Sequence, residues 1–164
     1  ALQIARAAGM RVIGTGGTEE GRRLITDQGA HHALDHHDQS HMDKVLELTD
    51  GRGADVILEM LSNINLDTDI RALAQGGRVV VIGSRGRVEI DPRDAMRRNA
   101  SILGMVLLNV SDEELYHVHA ALGAGLESGT LKPVVGRELP LADAARAHHE
   151  IMESHAYGKI VLLP

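Results

Sequence analysis

The sequence predicts an α/β fold built on a parallel sheet. Short apolar, β-branched runs alternate with stretches at helical spacing from end to end. Gly, Asn or Asp punctuates most of the junctions. Strands that return through helices run parallel, and a parallel sheet is covered on both faces, so its strands read as continuous apolar runs. The expected arrangement is an open, doubly wound sheet.

Each element follows from local signals. Leu2, Ile4 and Ala5 lie at helical spacing, and the opening helix stops at Gly9. It begins in mid-pattern without a capping residue, which reads as a chain cut inside a helix. Met10 to Thr15 is a buried strand. Thr18 caps the next helix, with Glu19 and Glu20 in its first turn, where the helix dipole favours acid. That helix ends at Gly29. Ala33 to Asp35 forms a short strand, and Ser40 caps a helix reaching Thr49. Asp55 to Met60 is a second buried strand. Asn65 or Asp67 opens a helix that Gly76 and Gly77 terminate. Arg78 to Gly83 is the strongest strand, β-branched almost throughout. Asp91-Pro92 starts a helix with Pro at its first position, and Ser101 to Val106 is a further buried strand. A long amphipathic helix covers about Ser111 to Leu126. Lys132 to Arg137 is strand-like, Leu141 to Glu153 helical, and Lys159 to Leu163 a closing strand. The style changes near Asn109, which divides the chain into 1–108 and 109–164.

Composition narrows the function. The chain has 164 residues, a net charge of −6, no cysteine, no Phe and no Trp. The charge argues against nucleic acid as a partner. The missing cysteines exclude disulfides, thiolate zinc sites and a Cys nucleophile. No apolar run approaches the ~18 residues of a membrane span, and the start lacks a signal-peptide layout. Cytoplasm is the expected setting.

Ligands of doubly wound sheets bind at the C-terminal ends of the strands. GTGGTEEG (14–21) offers backbone amides at a helix N-terminus for a ribose or phosphate; it is equally a tight strand–helix turn. It is not GxGxxG. No acid ends this strand at Thr15–Gly17, whereas an NAD site would place one there for the ribose diol. Arg22 and Arg23 follow a turn later, which favours a 2′-phosphate and hence NADPH. GSRG (83–86) follows the strongest strand and either faces a cofactor or forms a turn with a solvated Arg. His31, His32, His36, His37 and His41 invite a metal hypothesis, but their spacing is poor for one site; we expect no metal. The acidic residues do not pair into an acid/base site, and no catalytic residue is assigned.

Several stretches, taken in order, resemble the zeta-crystallin-like NADPH:quinone oxidoreductases of the medium-chain dehydrogenase/reductase superfamily. They are QIARAAGMRVIGTGGTEEG, EMLSNIN, GGRVVVIGSRG, EIDPRDAM, TLKPVVG, AHHEIM and GKIVLL. The resemblance covers essentially the whole chain. It implies a Rossmann-type sheet, and a branch without zinc inside a superfamily labelled zinc-binding dehydrogenase. It carries cofactor roles to Gly17 and Thr18, to His36 as an adenosine-phosphate contact, and to Asn65 near the nicotinamide ribose or pyrophosphate. It also carries them to Ile82, Gly83, Ser84 and Arg85 along the cofactor, and to Met105, Val106 and Leu107 beside the nicotinamide.

The departures are as informative. The family's substrate domain is absent, and so are its first Rossmann strand and that strand's phosphate loop. The resemblance thus implies a truncated NADP-binding domain over 1–108 and a segment over 109–164 that completes the sheet and returns toward a substrate domain. Two strand edges should lack neighbours, and the isolated chain should be inactive and bind NADPH poorly. The implied parent is a homodimer, paired through Ser101–Leu108, that reduces quinones with NADPH. Alternatives are an enoyl or alkenal reductase of the same superfamily, and a non-catalytic nucleotide-binding protein with a crystallin-like structural role.

Overall fold

The computed structural model describes residues 1–153 and 157–164. Its helices are α1 (Leu2–Ala7), α2 (Glu19–Asp27), α3 (His41–Leu48), α4 (Ser62–Ala72), α5 (Pro92–Arg98), α6 (Asp112–Glu127) and α7 (Ala144–Glu153). Its strands are β1 (Ile13–Thr15), β2 (His32–Leu34), β3 (Ala54–Glu59), β4 (Leu73–Val81), β5 (Ser101–Gly104), β6 (Val135–Pro140) and β7 (Lys159–Leu163). Every strand pairing is parallel, as the alternation predicts. The strands form three small sheets rather than one: β1-β2, β3-β4-β5 and β6-β7. Among the described residues β1 has only β2 beside it and β3 only β4, so each leaves one edge without a strand neighbour, as the resemblance implies. No described helix is long and apolar enough to cross a membrane.

The chain divides into two compact units, residues 1–37 with 115–164, and residues 38–114. In the first, β1 and β2 pair from Ile13–His32 to Thr15–Leu34. Thr18 caps α2 by accepting from the Gly21 N–H at 3.0 Å. The Gln3 side chain donates to the Lys132 carbonyl and accepts from its N–H, both at 2.9 Å, and so ties α1 to the segment before β6.

The second unit holds the clearest core. Leu66 and Ile70 of α4 pack with Leu73 and Val79 of β4, and Ile57, Val81, Val88, Ile90, Ala95 and Ala100 surround them. Gly53 makes this packing possible. Its φ is +87°, and a Cβ there would meet the Ala72 carbonyl oxygen at 2.5 Å. Asp91 caps α5 by accepting from Arg93 N, Arg97 and Arg98 occupy the last turn, and Asn99 closes it in the left-handed region.

Several expectations need correction. Helix α4 opens at Ser62, before Asn65 and Asp67, because the Ser62 N–H is held at 3.0 Å by the Gly83 carbonyl instead of by a cap. Gly76 and Gly77 do not end α4; they lie inside β4. There the register jumps from Ala54–Leu73 to Val56–Arg78, so the glycines form an irregularity within the strand. Ser40 makes no side-chain cap, since its hydroxyl bonds Asp38 at 2.6 Å. The strands are also less buried than expected. Within β3 only Glu59 is buried, and β5 is exposed throughout. Both are outer strands of a three-stranded sheet; Ile57 of β3 packs against the core, but Val56 and Leu58 of β3 and Ile102 and Leu103 of β5 stay exposed.

Candidate functional site

The residues singled out by the sequence fall into two groups, one in each unit. In the first unit Gly17, Thr18, Arg22 and His36 gather where β1 and β2 end. A Cβ at Gly17 would meet Nε2 of His37 at 2.7 Å and of His36 at 2.8 Å, so the two exposed imidazoles would have to move to admit it. The two imidazoles stack edge to face, 4.5 Å apart. The Thr18 hydroxyl serves the helix cap. Arg22 is half-buried and paired. Its Nη1 donates to the Gly16 carbonyl at 3.2 Å and to Asp35 Oδ2 at 2.8 Å.

Asp35 is the residue that sequence reasoning missed here. It follows β2 and was visible only as a strand end. Its Oδ1 accepts the His37 N–H at 2.9 Å. That bond first, then the Arg22 guanidinium, hold its carboxyl below the usual carboxylate range. The charge argument from the sequence is therefore corrected: β1 ends without an acid, but an ionised carboxylate from the neighbouring strand sits on Arg22.

In the second unit Asn65, Ile82, Gly83, Ser84 and Arg85 lie where β3 and β4 end. The two strand ends are stitched together. The Glu59 carbonyl accepts from Ile82 N at 2.8 Å and Gly83 N at 3.2 Å, and Asn63 Oδ1 accepts from Arg85 N at 2.9 Å. Gly83 is required by contact, because a Cβ there would strike the Met60 carbonyl. The Ser84 hydroxyl donates to the Gly86 carbonyl at 3.0 Å. The Asn65 amide donates to Glu59 Oε1 at 3.1 Å, and the Leu61 N–H donates to the same oxygen. After β5, Met105, Val106 and Leu107 are 40, 55 and 67% exposed, an uncovered apolar strip beginning where Met105 N bonds the Val81 carbonyl at 3.0 Å.

Glu59 and Asp69 were also missed. The sequence offered no acid/base pair and none is assigned, but these two acids are buried neighbours. A Glu directly after the apolar Val56–Leu58 run was the available signal. Its partner stands ten residues on, across a strand-to-helix junction that no fixed spacing reveals. The histidine tract is spoken for piecemeal: His31 Nδ1 accepts from Val12 N at 2.9 Å, and His41 Nδ1 lies 2.7 Å from the Asp38 carbonyl. Among the described residues no three His, Asp or Glu side chains are placed to hold a metal ion.

Residues 1–122 match the family model for zinc-binding dehydrogenases. The chain belongs to that family. Within it, the chain is 46% identical to the human quinone oxidoreductase and 47% to the pig protein, in each case over 99% of this chain and 50% of the relative. It thus spans about half the length of the curated relatives it matches. Among solved structures, a quinone oxidoreductase from Pseudomonas syringae superposes with a TM-score of 0.88 at 27% identity, covering 100% of this chain and 52% of that one. A mycobacterial protein solved in complex with NADPH gives 0.87 at 30% identity, covering 99% and 53%. An NAD-dependent alcohol dehydrogenase gives 0.88 at 33%, covering 100% and 47%. The family fold accounts for the parallel pairing and for the placement of both residue groups at strand C-terminal ends.

Proposed function

We propose that this chain is the cofactor-binding portion of an NADPH-dependent quinone oxidoreductase, with residues 1–108 as its nucleotide-binding part and 109–164 returning toward a substrate domain. The observation that carries the reading is the strand-end architecture of residues 59–65 and 82–85. There Gly83 brings two loops into contact too close for any side chain, and exposed Arg85 adjoins them. The near-half identity to quinone oxidoreductases supports the substrate class.

The residues present fit such a cofactor. The Gly83 contact leaves backbone and Asn65 at the strand ends, and Met105, Val106 and Leu107 supply an apolar surface of the kind a nicotinamide ring needs. Gly17, Thr18, Arg22 and His36 supply the polar and cationic surface expected of an adenosine-phosphate site. When bound, NADPH provides the hydride; the protein binds, orients and excludes water. No acid or base of this chain is assigned to the reaction, and the setting is the cytosol. The test is NADPH oxidation by a quinone, followed in the complete polypeptide that carries these residues. Turnover with activated enones but not with quinones would move the assignment to an enoyl or alkenal reductase. Nucleotide binding without turnover of either would leave a binding or structural protein.

The exposed β5 edge supports a further part of the proposal, that the protein pairs with a second copy through Ser101–Leu108. Ile102 and Leu103 are 41 and 45% exposed on an outer strand. Light scattering of the complete polypeptide should give a dimer mass that Ile102→Lys shifts toward monomer. A monomer at every concentration would remove the assignment.

A further inference from the structure

Asp69 has no exposed surface, and neither of its side-chain oxygens receives a hydrogen bond from a donor in the chain. Glu59, 7% exposed, is the buried acidic neighbour that bears on it. Two carboxylates in such a place are both acceptors. They repel each other and leave the Asp69 oxygens unsatisfied, unless a proton stands between them. Glu59 meanwhile holds the Leu61 N–H and the Asn65 side chain through Oε1, and Ile82 and Gly83 through its carbonyl. One residue therefore joins the end of β3, the start of α4 and the end of β4.

We propose that Glu59 and Asp69 are positioning residues whose carboxyl groups share a single proton, Asp69 donating and Glu59 accepting, and that the pair fixes Leu61 and Asn65 at the strand ends. The role of those strand ends as a nucleotide site rests on the reading above; the shared proton does not.

The pH behaviour follows. Burial first, and Glu59 second, push the Asp69 carboxyl up to about 8. α4 packs against α3, β3, β4 and α5. Those elements carry His41, Asp43, Lys44 and Glu47, then Asp55 and Glu59, then Arg78, then Arg93, Asp94, Arg97 and Arg98. Of these, Glu59 alone acts on Asp69. An unfolded Asp ionises near 3.9. Between about 4 and 8 the folded chain holds a proton that the unfolded chain has lost, so this pair makes stability fall as pH rises across that window. His31 acts oppositely. Burial and then Arg6 lower its pKa, so its contribution grows as pH rises through the histidine range. Comparison with an Asp69 variant separates the two.

Carbon-detected NMR of this chain, with pH as the variable, tests the proposal. The Asp69 carboxyl signal should titrate near 8, and the Leu61 amide and Asn65 side-chain signals should move with it. In Asp69→Asn an amide N–H replaces the shared proton, so those signals should keep their wild-type low-pH positions and stop responding to pH. In Asp69→Leu, which offers no donor, they should be displaced at every pH. An Asp69 carboxyl that titrates in the ordinary acid range, or Leu61 and Asn65 signals that ignore it, would overturn the proposal. In the complete polypeptide, Asp69→Leu should raise KM for NADPH several-fold with kcat nearly unchanged, and Asp69→Asn should restore it. An unmoved KM would refute the positioning role. Absence of any NADPH–quinone turnover, with the NMR result intact, would sink the functional reading alone.

Discussion

Replacing Ile70 by alanine should cost this chain about 2–5 kcal/mol of stability, toward the upper end of that range. Ile70 is 1% exposed, and it sits in a cluster whose fully packed members are only Leu66, Leu73 and Val79 beside itself. Closing a cavity at its position would require its neighbours to shift, and Val79 is fixed in the central strand of its sheet while Leu73 stands where α4 passes directly into β4. The truncation would also expose the shell around Asp69, the adjacent residue, whose burial the carboxyl pair depends on. Leu122→Ala on α6 serves as the control. Leu122 is 37% exposed and in the other unit, so its loss should stay within about 0.5 kcal/mol. Urea titration followed by circular dichroism measures both. A change below about 1 kcal/mol at Ile70 would mean that the cluster does not hold the 38–114 unit together.

The fold was legible wherever a signal was local. Thr18 with Glu19 and Glu20, Asp91 with Pro92, and Gly9 and Gly29 each act within a few residues, and the helices they delimit stand where those residues place them. The closing strand Lys159–Leu163 was equally plain. What escaped depends on partners far away in sequence. α4 begins at Ser62 because Gly83, more than twenty residues on, accepts its N–H. Gly76 and Gly77 read as a helix stop, since the same residues that end a helix also make a strand irregular. Burial of β3 and β5 was overestimated because an apolar run states what a strand tolerates on its faces, not which layers are present to cover them. At the candidate site the glycines and arginines were readable by type. Asp35 beside Arg22, and Asp69 beside Glu59, were not, because each pair joins two elements that only the fold brings together.

Arg22 is the residue whose loss should most alter the choice of cofactor. In the complete polypeptide, Arg22→Ala should lower kcat/KM with NADPH by one to two decades and leave NADH nearly unchanged. That range corresponds to a charge-assisted contact to phosphate of about 1.5–3 kcal/mol. The geometry sharpens the expectation. Both contacts of the guanidinium, to the Gly16 carbonyl and to Asp35, use Nη1, whereas an arginine offers five donors in a planar fork. The pair to Asp35 thus aims the group without consuming the rest of the fork. Asp35 has a second effect of opposite sign. Its carboxyl, held low by the His37 N–H and by Arg22, is an anion beside any phosphate bound there. Asp35→Asn should therefore raise preference for NADPH over NADH, because its single amide oxygen can turn to accept from Arg22, giving up the His37 N–H bond, and the side chain no longer repels a phosphate. Opposite shifts in the two variants are the signature of a charge contest over one phosphate. Equal losses with both cofactors in Arg22→Ala would show instead that Arg22 braces the Gly16 turn, and the 2′-phosphate would have to be read by another residue.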